Sequence, residues 1–186
     1  MIATPVLRCS GLVLEPFQER HLTARYVNWL NDPAVVKFSE QRHKVHDMES
    51  CRAYAASYAG TSNHLWAIVA DRFGHIGNIN AAVDAPNQVA DLAILIGQRE
   101  CWGQGLGTRA WTVALEWLLQ GGGMRKVTAG TMATNRSMLF VMKKSGMTPD
   151  GCRRAQCLLD GSPVDVVLMA SFRDGTEVLS KQGGVI

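Results

Sequence analysis

The sequence has no apolar run of transmembrane length, and its N-terminus lacks the charged-then-apolar form of a signal peptide. It also has no basic run, because its formal charge of +3 includes only short pairs such as Lys143-Lys144 and Arg153-Arg154. These absences give no support to a membrane or nucleic-acid partner. They predict a cytoplasmic protein.

Cysteine pairs at C-x-x-C spacing are missing as well, which argues against a zinc ribbon or a redox motif. The odd number of cysteines predicts free thiols in a reducing compartment. His43 and His46 lie three residues apart without a nearby carboxylate or cysteine to complete a ligand set. We therefore predict a solvated loop there and no bound metal. The five cysteines are Cys9, Cys51, Cys101, Cys152 and Cys157.

A chain of 186 residues can bury one substantial core, and no stretch has the composition of a linker between two domains. We expect a single domain over residues 1–175. The remaining residues, 176–186, are polar and glycine-rich and predict a loose tail.

The most informative stretch runs from residue 91 to residue 119. An apolar run at residues 92–96 leads through Gly97 into a glycine-rich segment, Trp102-Gly103-Gln104-Gly105-Leu106-Gly107-Thr108. Apolar residues then recur at helical spacing up to residue 118. This order predicts a strand, a glycine loop and a buried helix, whose first turn offers unpaired N–H groups and a positive dipole to an anion such as phosphate.

Two common phosphate loops do not fit this segment. A P-loop requires a lysine after its last glycine, whereas Gly107 is followed by Thr108 and Arg109. A dinucleotide fold requires an acidic residue about 20 residues further on, at the end of the next strand. No carboxylate occurs between Glu116 and Asp150, so a nicotinamide or flavin site is not expected.

The segment resembles a third type of phosphate-binding loop, the pyrophosphate loop Q/R-x-x-G-x-G/A of the GNAT superfamily of acyl-CoA-dependent N-acetyltransferases. The branch it resembles most contains the RimJ/RimL-type ribosomal enzymes and the aminosugar N-acetyltransferases, in which the loop often begins with tryptophan, as at Trp102. The resemblance implies that acetyl-CoA binds here without a metal. The residues implied are Leu95, Ile96, Trp102, Gly103, Gln104, Gly105, Leu106, Gly107 and Thr108.

A second segment, Asn135 to Met147, resembles the other GNAT signature, N-x-x-S…K-x-G-F. It implies that Asn135, Ser137 and Lys144 also bind the cofactor, with Asn135 against the pantetheine arm as well as capping a helix. Two departures from the family pattern affect the choice of a general acid. Met138 replaces the usual serine, and Met142 replaces the tyrosine that often protonates the leaving thiolate.

The implied architecture is the GNAT fold, an α+β (three-layer α/β) arrangement with a mixed central sheet of about seven strands and about four helices. Alternation and turn residues predict strands in the following segments: 12–17, 64–71, 75–83, 91–96, 125–131, 151–159 and 164–172. Helical spacing and capping residues predict helices in the following segments: 21–31, 47–60, 106–119 and 135–144.

Two residues are candidates for the substrate wall. Trp29 lies in a segment that resembles the aminosugar-acetylating branch, although core packing explains its helical position equally well. Asn78 and Asn80 alternate with apolar residues, so they share one face of a strand, directed either to solvent or to the acceptor cleft. The polar loop at residues 33–47 is also expected to border the acceptor.

The chemistry requires a base, because a primary ammonium has a pKa near 10. Where RimL-type enzymes keep a glutamate proposed for this role, this chain has Cys157. We therefore assign the base to Asp91, acting directly or through water, with Asp84, His75 and Glu100 as alternatives. A backbone N–H within residues 94–96 is expected to stabilise the oxyanion.

Two functional classes remain open from the sequence. The first is an enzyme that moves acetyl from acetyl-CoA to a primary amine by direct attack, with a small-molecule aminosugar or sugar nucleotide as the favoured acceptor and a protein N-terminus as the alternative. The second is an acyl-CoA-binding module without turnover. Dimers are common in this branch, so the resemblance also implies a homodimer.

Overall fold

The computed structural model describes residues 2–176 and contains one mixed eight-stranded sheet in the order β1-β2-β3-β4-β5-β6-β8-β7. Only the β5 to β6 pairing is parallel. The strands are β1 (Leu7–Cys9), β2 (Leu12–Pro16), β3 (His64–Ala70), β4 (Gly74–Asp84), β5 (Val89–Ile96), β6 (Lys126–Met132), β7 (Thr148–Leu159) and β8 (Ser162–Phe172).

Helices cover both faces of the sheet. The α-helices are α1 (Ala24–Asn31), α2 (Pro33–Val36), α3 (Met48–Ala56), α4 (Leu106–Gln120) and α5 (Arg136–Lys144). The larger core lies between the sheet and α4, with α5 beside it, and contains the fully buried Trp66 and Trp111. A smaller core under α1 and α3 contains Tyr26, Trp29 and Cys51, with Leu95 of β5 packed against it.

This architecture confirms the predicted fold class. The seven predicted strands and four predicted helices all occur, with ends that differ by a few residues. The sequence prediction missed β1, which pairs with β2 from Leu7↔Leu14 to Cys9↔Leu12. It also missed α2 and a short 3-10 helix at Glu40–His43, both within the segment predicted to be irregular. The predicted polar tail lies outside the described residues beyond Thr176.

The sheet opens between β5 and β6. These strands pair only from Val89↔Lys126 to Asp91↔Thr128, although both continue for several more residues. Beyond Asp91, β5 keeps β4 as its neighbour, up to Gly77↔Ile96, and β6 keeps β8. A gap therefore separates the C-terminal halves of two parallel strands.

Gly97, immediately after β5, is in close contact with Trp29. A Cβ atom on Gly97 would lie 2.1 Å from Cδ2 of the Trp29 indole. Trp29 is only 6% exposed and also packs edge-on against Tyr26 and His75. The absence of a side chain at Gly97 thus lets α1 seat against the end of β5.

We predict that Gly97→Ala destabilises the protein by about 2 kcal/mol, because the new methyl group must displace the indole from a packed site. Urea unfolding measures the change. Gly107→Ala is the control, since its Cβ would meet Ile96 Cγ1 at 3.5 Å, an ordinary contact. Equal stability of the Gly97→Ala and wild-type proteins would show that Trp29 does not constrain this position.

Candidate active site

A cleft of about 1170 Å³ occupies the gap between β5 and β6. Its walls come from the C-terminal half of β5, the glycine loop with the start of α4, the start of α5, and the segment between α1 and α3. Of the predicted cofactor residues, the cleft brings together Leu95, Ile96, Trp102, Gly103, Gly105, Leu106, Gly107, Thr108, Asn135 and Ser137.

The backbone of β5 supplies polar groups to this cleft. Gly97 N–H donates to the Ile76 carbonyl at 2.9 Å, which fixes the antiparallel alternation between β4 and β5. By that alternation, the peptide groups of Leu95 face β4, while those of Ile94 and Ile96 face the gap. The Ile96 carbonyl accepts a hydrogen bond from Trp102 Nε1 at 3.0 Å. Of the three amides at residues 94–96 predicted to stabilise the oxyanion, those of Ile94 and Ile96 therefore face the gap.

The glycine loop presents a row of free amides to the cleft. Gly103 and Gly105 have φ angles of 76° and 74°, in the left-handed region that glycine adopts without steric cost. Gly105 caps α4 without a side-chain bond, and the first helical bond runs from Arg109 N–H to Gly105 O at 3.1 Å. Within residues 2–176, no group accepts from the amides of Gly103, Gly105, Leu106, Gly107 and Thr108. Together with the helix dipole, these amides favour an anion.

Three of the predicted cofactor residues lie in different positions relative to the free amides of the glycine loop. Trp102 is 43% exposed at the cleft, with the Arg99 guanidinium 5.8 Å above its ring. Gln104 lies outside the cleft lining, and its side chain donates to the Glu100 carbonyl at 2.6 Å and so braces the loop. Lys144 is exposed at the C-terminal end of α5, about 13 Å along the helix axis from Asn135.

Asn135 organises the start of α5. Its Oδ1 accepts from Met138 N–H at 3.2 Å, which makes it the helix cap, and its Nδ2 donates to Thr131 Oγ1 at 3.0 Å. Ser137 lines the cleft beside it. Met142, at the position of the expected tyrosine, is fully buried in the core and presents no hydroxyl.

The opposite face of the sheet carries the predicted acceptor residues. Asn78 and Asn80 of β4 lie directly opposite Leu95 and Ala93 of β5, so all four side chains point towards α1 and α3. Both asparagines line the cleft, and Asn78 is 7% exposed with no described partner for its Oδ1. Trp29, the other predicted substrate residue, lies outside the lining and packs over Gly97.

Asp91 lies at the base of the gap, on the same face as Asn78 and Asn80. It is opposite Ala82 of β4 and Thr128 of β6, and its Oδ2 accepts the Thr128 hydroxyl at 2.8 Å. Asp91 is exposed to solvent, yet the protein packed around its carboxyl raises its pKa above the ordinary value, and the Thr128 hydrogen bond and the Arg153 charge oppose that rise. Ile94 lies three residues, or about 10 Å, further along β5.

Asp91 and the three alternative bases all lie outside the residues that line the cleft. Asp84 is exposed and holds the Asn87 side chain at 2.8 Å, and Glu100 is exposed and accepts from Gln98 at 2.6 Å. His75 packs its ring among His21, Tyr26 and Trp29. Its two ring nitrogens are shielded from solvent and have no hydrogen-bond partner in the described part of the chain.

Polar residues of the loop at 33–47, which was expected to border the acceptor, line the cleft together with Tyr54, which the sequence did not single out. The loop residues are Ser39, Gln41, Lys44 and His46. The Asn31 side chain holds the backbone of His46 in place. It accepts a hydrogen bond from His46 N–H at 2.9 Å and donates one to the His46 carbonyl at 2.8 Å. Arg42 joins this loop to the β7 strand through the Leu158 carbonyl at 3.3 Å. We refer to residues 38–46 as the cleft loop.

Two absences concern the residues described. Residues 2–176 contain no group of three or more His, Cys, Asp or Glu side chains arranged to hold a metal. Nor does any helix in that range combine the length and apolar character needed to cross a membrane.

A protein-family model described as an acetyltransferase (GNAT) domain matches residues 11–148, well over half of the chain. The chain belongs to the GNAT acetyltransferase family. It is therefore an acetyl-CoA-dependent N-acetyltransferase, with acetyl-CoA as its cosubstrate, and the predicted family is confirmed.

Solved structures that resemble this GNAT protein include RimL, the ribosomal L7/L12 alpha-N-protein acetyltransferase, in complex with coenzyme A. RimL is 17% identical, with a TM-score of 0.82 over 92% of this chain and 100% of RimL. Spermidine N-acetyltransferase from Vibrio cholerae, in complex with CoA and spermine, is 15% identical, with a TM-score of 0.79 over 89% of this chain and 97% of that one.

The ribosomal-protein-S5-alanine acetyltransferase from Vibrio fischeri is 13% identical, with a TM-score of 0.79 over 94% of this chain and 100% of that one. At these identities the likeness establishes the fold. No curated protein matches the sequence significantly.

His75 makes the stability of this acetyltransferase depend on pH. Burial, reinforced by the neighbouring His21, lowers the pKa of His75 to about 4. Between that value and the unfolded value near 6.5, the unfolded chain binds a proton that the folded protein does not, so stability falls as the pH falls.

We predict that replacing His75 with phenylalanine removes this dependence. Between pH 7 and pH 5, the free energy of unfolding measured in urea should fall by about 2 kcal/mol less in His75→Phe than in the wild-type protein. Parallel losses in the two proteins would contradict this assignment.

Proposed function

We propose that this enzyme acetylates a primary amine carried by an anionic small molecule, with an aminosugar nucleotide as the favoured acceptor. The supporting observation is the charge of the cleft. Its described lining contains Lys44, His46 and Arg136 but no aspartate or glutamate.

The cofactor is proposed to lie along the gap, with its diphosphate on the free amides of Gly103 and Gly105 to Thr108. Several phosphate oxygens can then each accept from a backbone N–H at the positive end of α4. Trp102 would cover one side of this seat, and Asn135 and Ser137 would border the pantetheine arm. The proposed roles of Gln104 and Lys144 in cofactor binding remain predictions.

The reaction is proposed to be a direct attack of the amine on the thioester carbonyl. The pantetheine arm would continue the sheet beside β5, where the peptide groups of Ile94 and Ile96 have no strand partner on the gap side. One of these N–H groups would stabilise the oxyanion that forms on attack. Leu95 would contribute through its side chain, which lines the cleft.

Asp91 is proposed to accept the amine proton through water, because about 10 Å of strand separates it from Ile94. Its raised pKa keeps it a better proton acceptor than an ordinary carboxylate. Asn78, with its unpartnered amide oxygen on the same face, would orient the incoming amine by accepting a hydrogen bond from it. Trp29 would act on the acceptor only indirectly, by holding α1 against the end of β5.

The charge of the cleft separates the acceptor classes. A polyamine carries several positive charges and needs carboxylates to bind it, which this lining does not supply. A sugar nucleotide carries a diphosphate, which the Lys44 ammonium can partly neutralise and the neighbouring polar groups of the cleft loop can hydrogen-bond. A protein N-terminus needs an open groove, whereas the Arg42 to Leu158 bond ties the cleft loop to β7.

The cofactor seat can be tested with two glycine substitutions of equal strain. Gly105→Ala is predicted to weaken CoA binding about tenfold, since alanine at a φ of 74° is strained and tilts the amides that follow. Gly123 has a φ of 76° and open space around it, so Gly123→Ala introduces the same strain beyond the other end of α4. Calorimetric titration with CoA measures both. Equal losses of affinity would place the diphosphate elsewhere.

The base can be tested through the pH profile. Wild-type kcat/KM is predicted to fall as the pH falls through the raised pKa of Asp91, because the protonated carboxyl cannot accept the amine proton. Asp91→Asn is predicted to lower kcat at least 100-fold and to remove this acidic limb. Asp84→Asn is the control. If the acidic limb of the pH profile persists in Asp91→Asn but disappears in His46→Gln, the base is His46 instead.

The acceptor class can be tested by measuring thiol release from acetyl-CoA with three amines, a UDP-linked 4-aminosugar, spermidine and a tripeptide. We predict the largest kcat/KM for the aminosugar nucleotide, and a loss of about tenfold in Lys44→Glu. Lys37→Glu is the matched control, since Lys37 is exposed outside the cleft lining. Preference for spermidine or the peptide would overturn the proposed acceptor.

A further inference from the structure

The departing thiolate of coenzyme A would be stabilised by a hydrogen-bond donor, and Met142, at the position of the family's tyrosine, cannot provide one. A CoA thiol has an ordinary pKa near 8.5, so a hydrogen-bond donor at sulfur would ease cleavage of the C–S bond. Met142 lies in the core and Met138 has no hydroxyl. A donor can therefore come from Ser137, which lines the cleft at the start of α5, or from another element that borders the gap.

Thr131 of β6 is placed to meet this need. The parallel register of Asp91↔Thr128, continued by three residues, sets Thr131 level with Ile94 across the open gap. Three residues of strand also reverse the face, so Ile94 and Thr131 point towards α4 while Asp91 and Thr128 point away from it. A thioester in the gap beside Ile94 would thus have Thr131 on the cofactor side and Asp91 on the acceptor side.

The hydrogen bonds of Thr131 leave its proton free. Asn135 Nδ2 donates to Thr131 Oγ1 at 3.0 Å, and the Asn135 orientation is fixed because its Oδ1 accepts from Met138 N–H at 3.2 Å. The Thr131 hydroxyl therefore acts as an acceptor in this pair. No group within the described residues accepts its own proton, although Thr131 is only 7% exposed and lines the cleft. A buried donor without a partner is costly, and a ligand in the gap would satisfy it.

We propose that the Thr131 hydroxyl donates a hydrogen bond to the sulfur of acetyl-CoA and stabilises the thiolate as it leaves. This inference rests on the proposed reaction. The amine nitrogen forms a bond to the carbonyl carbon, the C–S bond breaks, and its electron pair goes to sulfur. The amine proton leaves towards Asp91 through water, and the thiolate is later protonated by solvent. Thr131 keeps its proton throughout, since a threonine hydroxyl is too weak an acid to transfer it.

The direct test uses bound coenzyme A and needs no acceptor. The absorbance of the thiolate near 240 nm is followed against pH, with protein saturated with desulfo-CoA as the blank to remove the contribution of the protein thiols. Thr131→Val is expected to raise the pKa of the bound thiol by about 1 unit relative to wild type, and Thr131→Ser to retain the wild-type value. Thr131→Ala serves as a second variant without a hydroxyl should the valine protein fail to fold.

Turnover provides the second readout. Thr131→Val is expected to lower kcat about tenfold with little change in the KM for acetyl-CoA, and Thr131→Ser is expected to restore most of it. Thr112→Val is the matched control, because the Thr112 hydroxyl lies 3.0 Å from Ser145 Oγ and outside the cleft lining.

The outcomes separate this inference from the proposed function. Wild-type protein without affinity for CoA would overturn both. Normal CoA binding with the same thiol pKa in wild type and Thr131→Val would overturn the role of Thr131 alone. A fall in CoA affinity in Thr131→Val without a change in thiol pKa would assign Thr131 to cofactor binding and likewise reject the inference.

Discussion

The separation of β5 from β6 is the constraint on which the rest of this structure depends. Because β5 and β6 pair for only three residues, the peptide groups of Ile94 and Ile96 that face the gap have no strand partner on that side. Unpaired backbone groups in a sheet are costly unless a ligand or water satisfies them. The glycine loop, the start of α5 and the cleft loop all border this gap, so each of them can contribute to one site.

The gap also divides the proposed chemistry between two faces of the sheet. On the face towards α4 lie the free amides of the glycine loop and the Thr131 hydroxyl, which suit a diphosphate and a thiolate. On the face towards α1 and α3 lie Asp91, Asn78 and the cleft loop, which suit an amine and its carrier. A side chain's face follows from the two-residue period of its strand, so a shift of β5 by one residue would exchange these roles.

The fold and the order of strand, glycine loop and helix at residues 91–119 were predicted well from the sequence because their signals are local. Glycines at positive φ, a helix beginning after them and an apolar strand before them all lie within about 30 residues, and each has its own pattern. The cap at Asn135 was equally local.

The side of the cleft towards α1 and α3 was predicted less completely because long-range contacts set it. The packing of Trp29 over Gly97 joins α1 to the end of β5, and the bond from Arg42 to Leu158 joins residues far apart in the chain. No periodicity records either contact. β1 was missed since three residues are too few to show alternation. The position of Thr131 depends on the register between β5 and β6, which the sequence alone does not specify.

Binding of coenzyme A in the gap between β5 and β6 can be tested directly by following backbone amide resonances with ¹⁵N NMR while the protein is titrated with coenzyme A. We expect the amides of Gly103, Gly105 and Gly107 to shift most, together with those of Ile94 and Ile96, while those of Gly123 and Gly60 remain unchanged. Saturable shifts confined to residues outside the gap, or no shifts at all, would contradict this mode of binding.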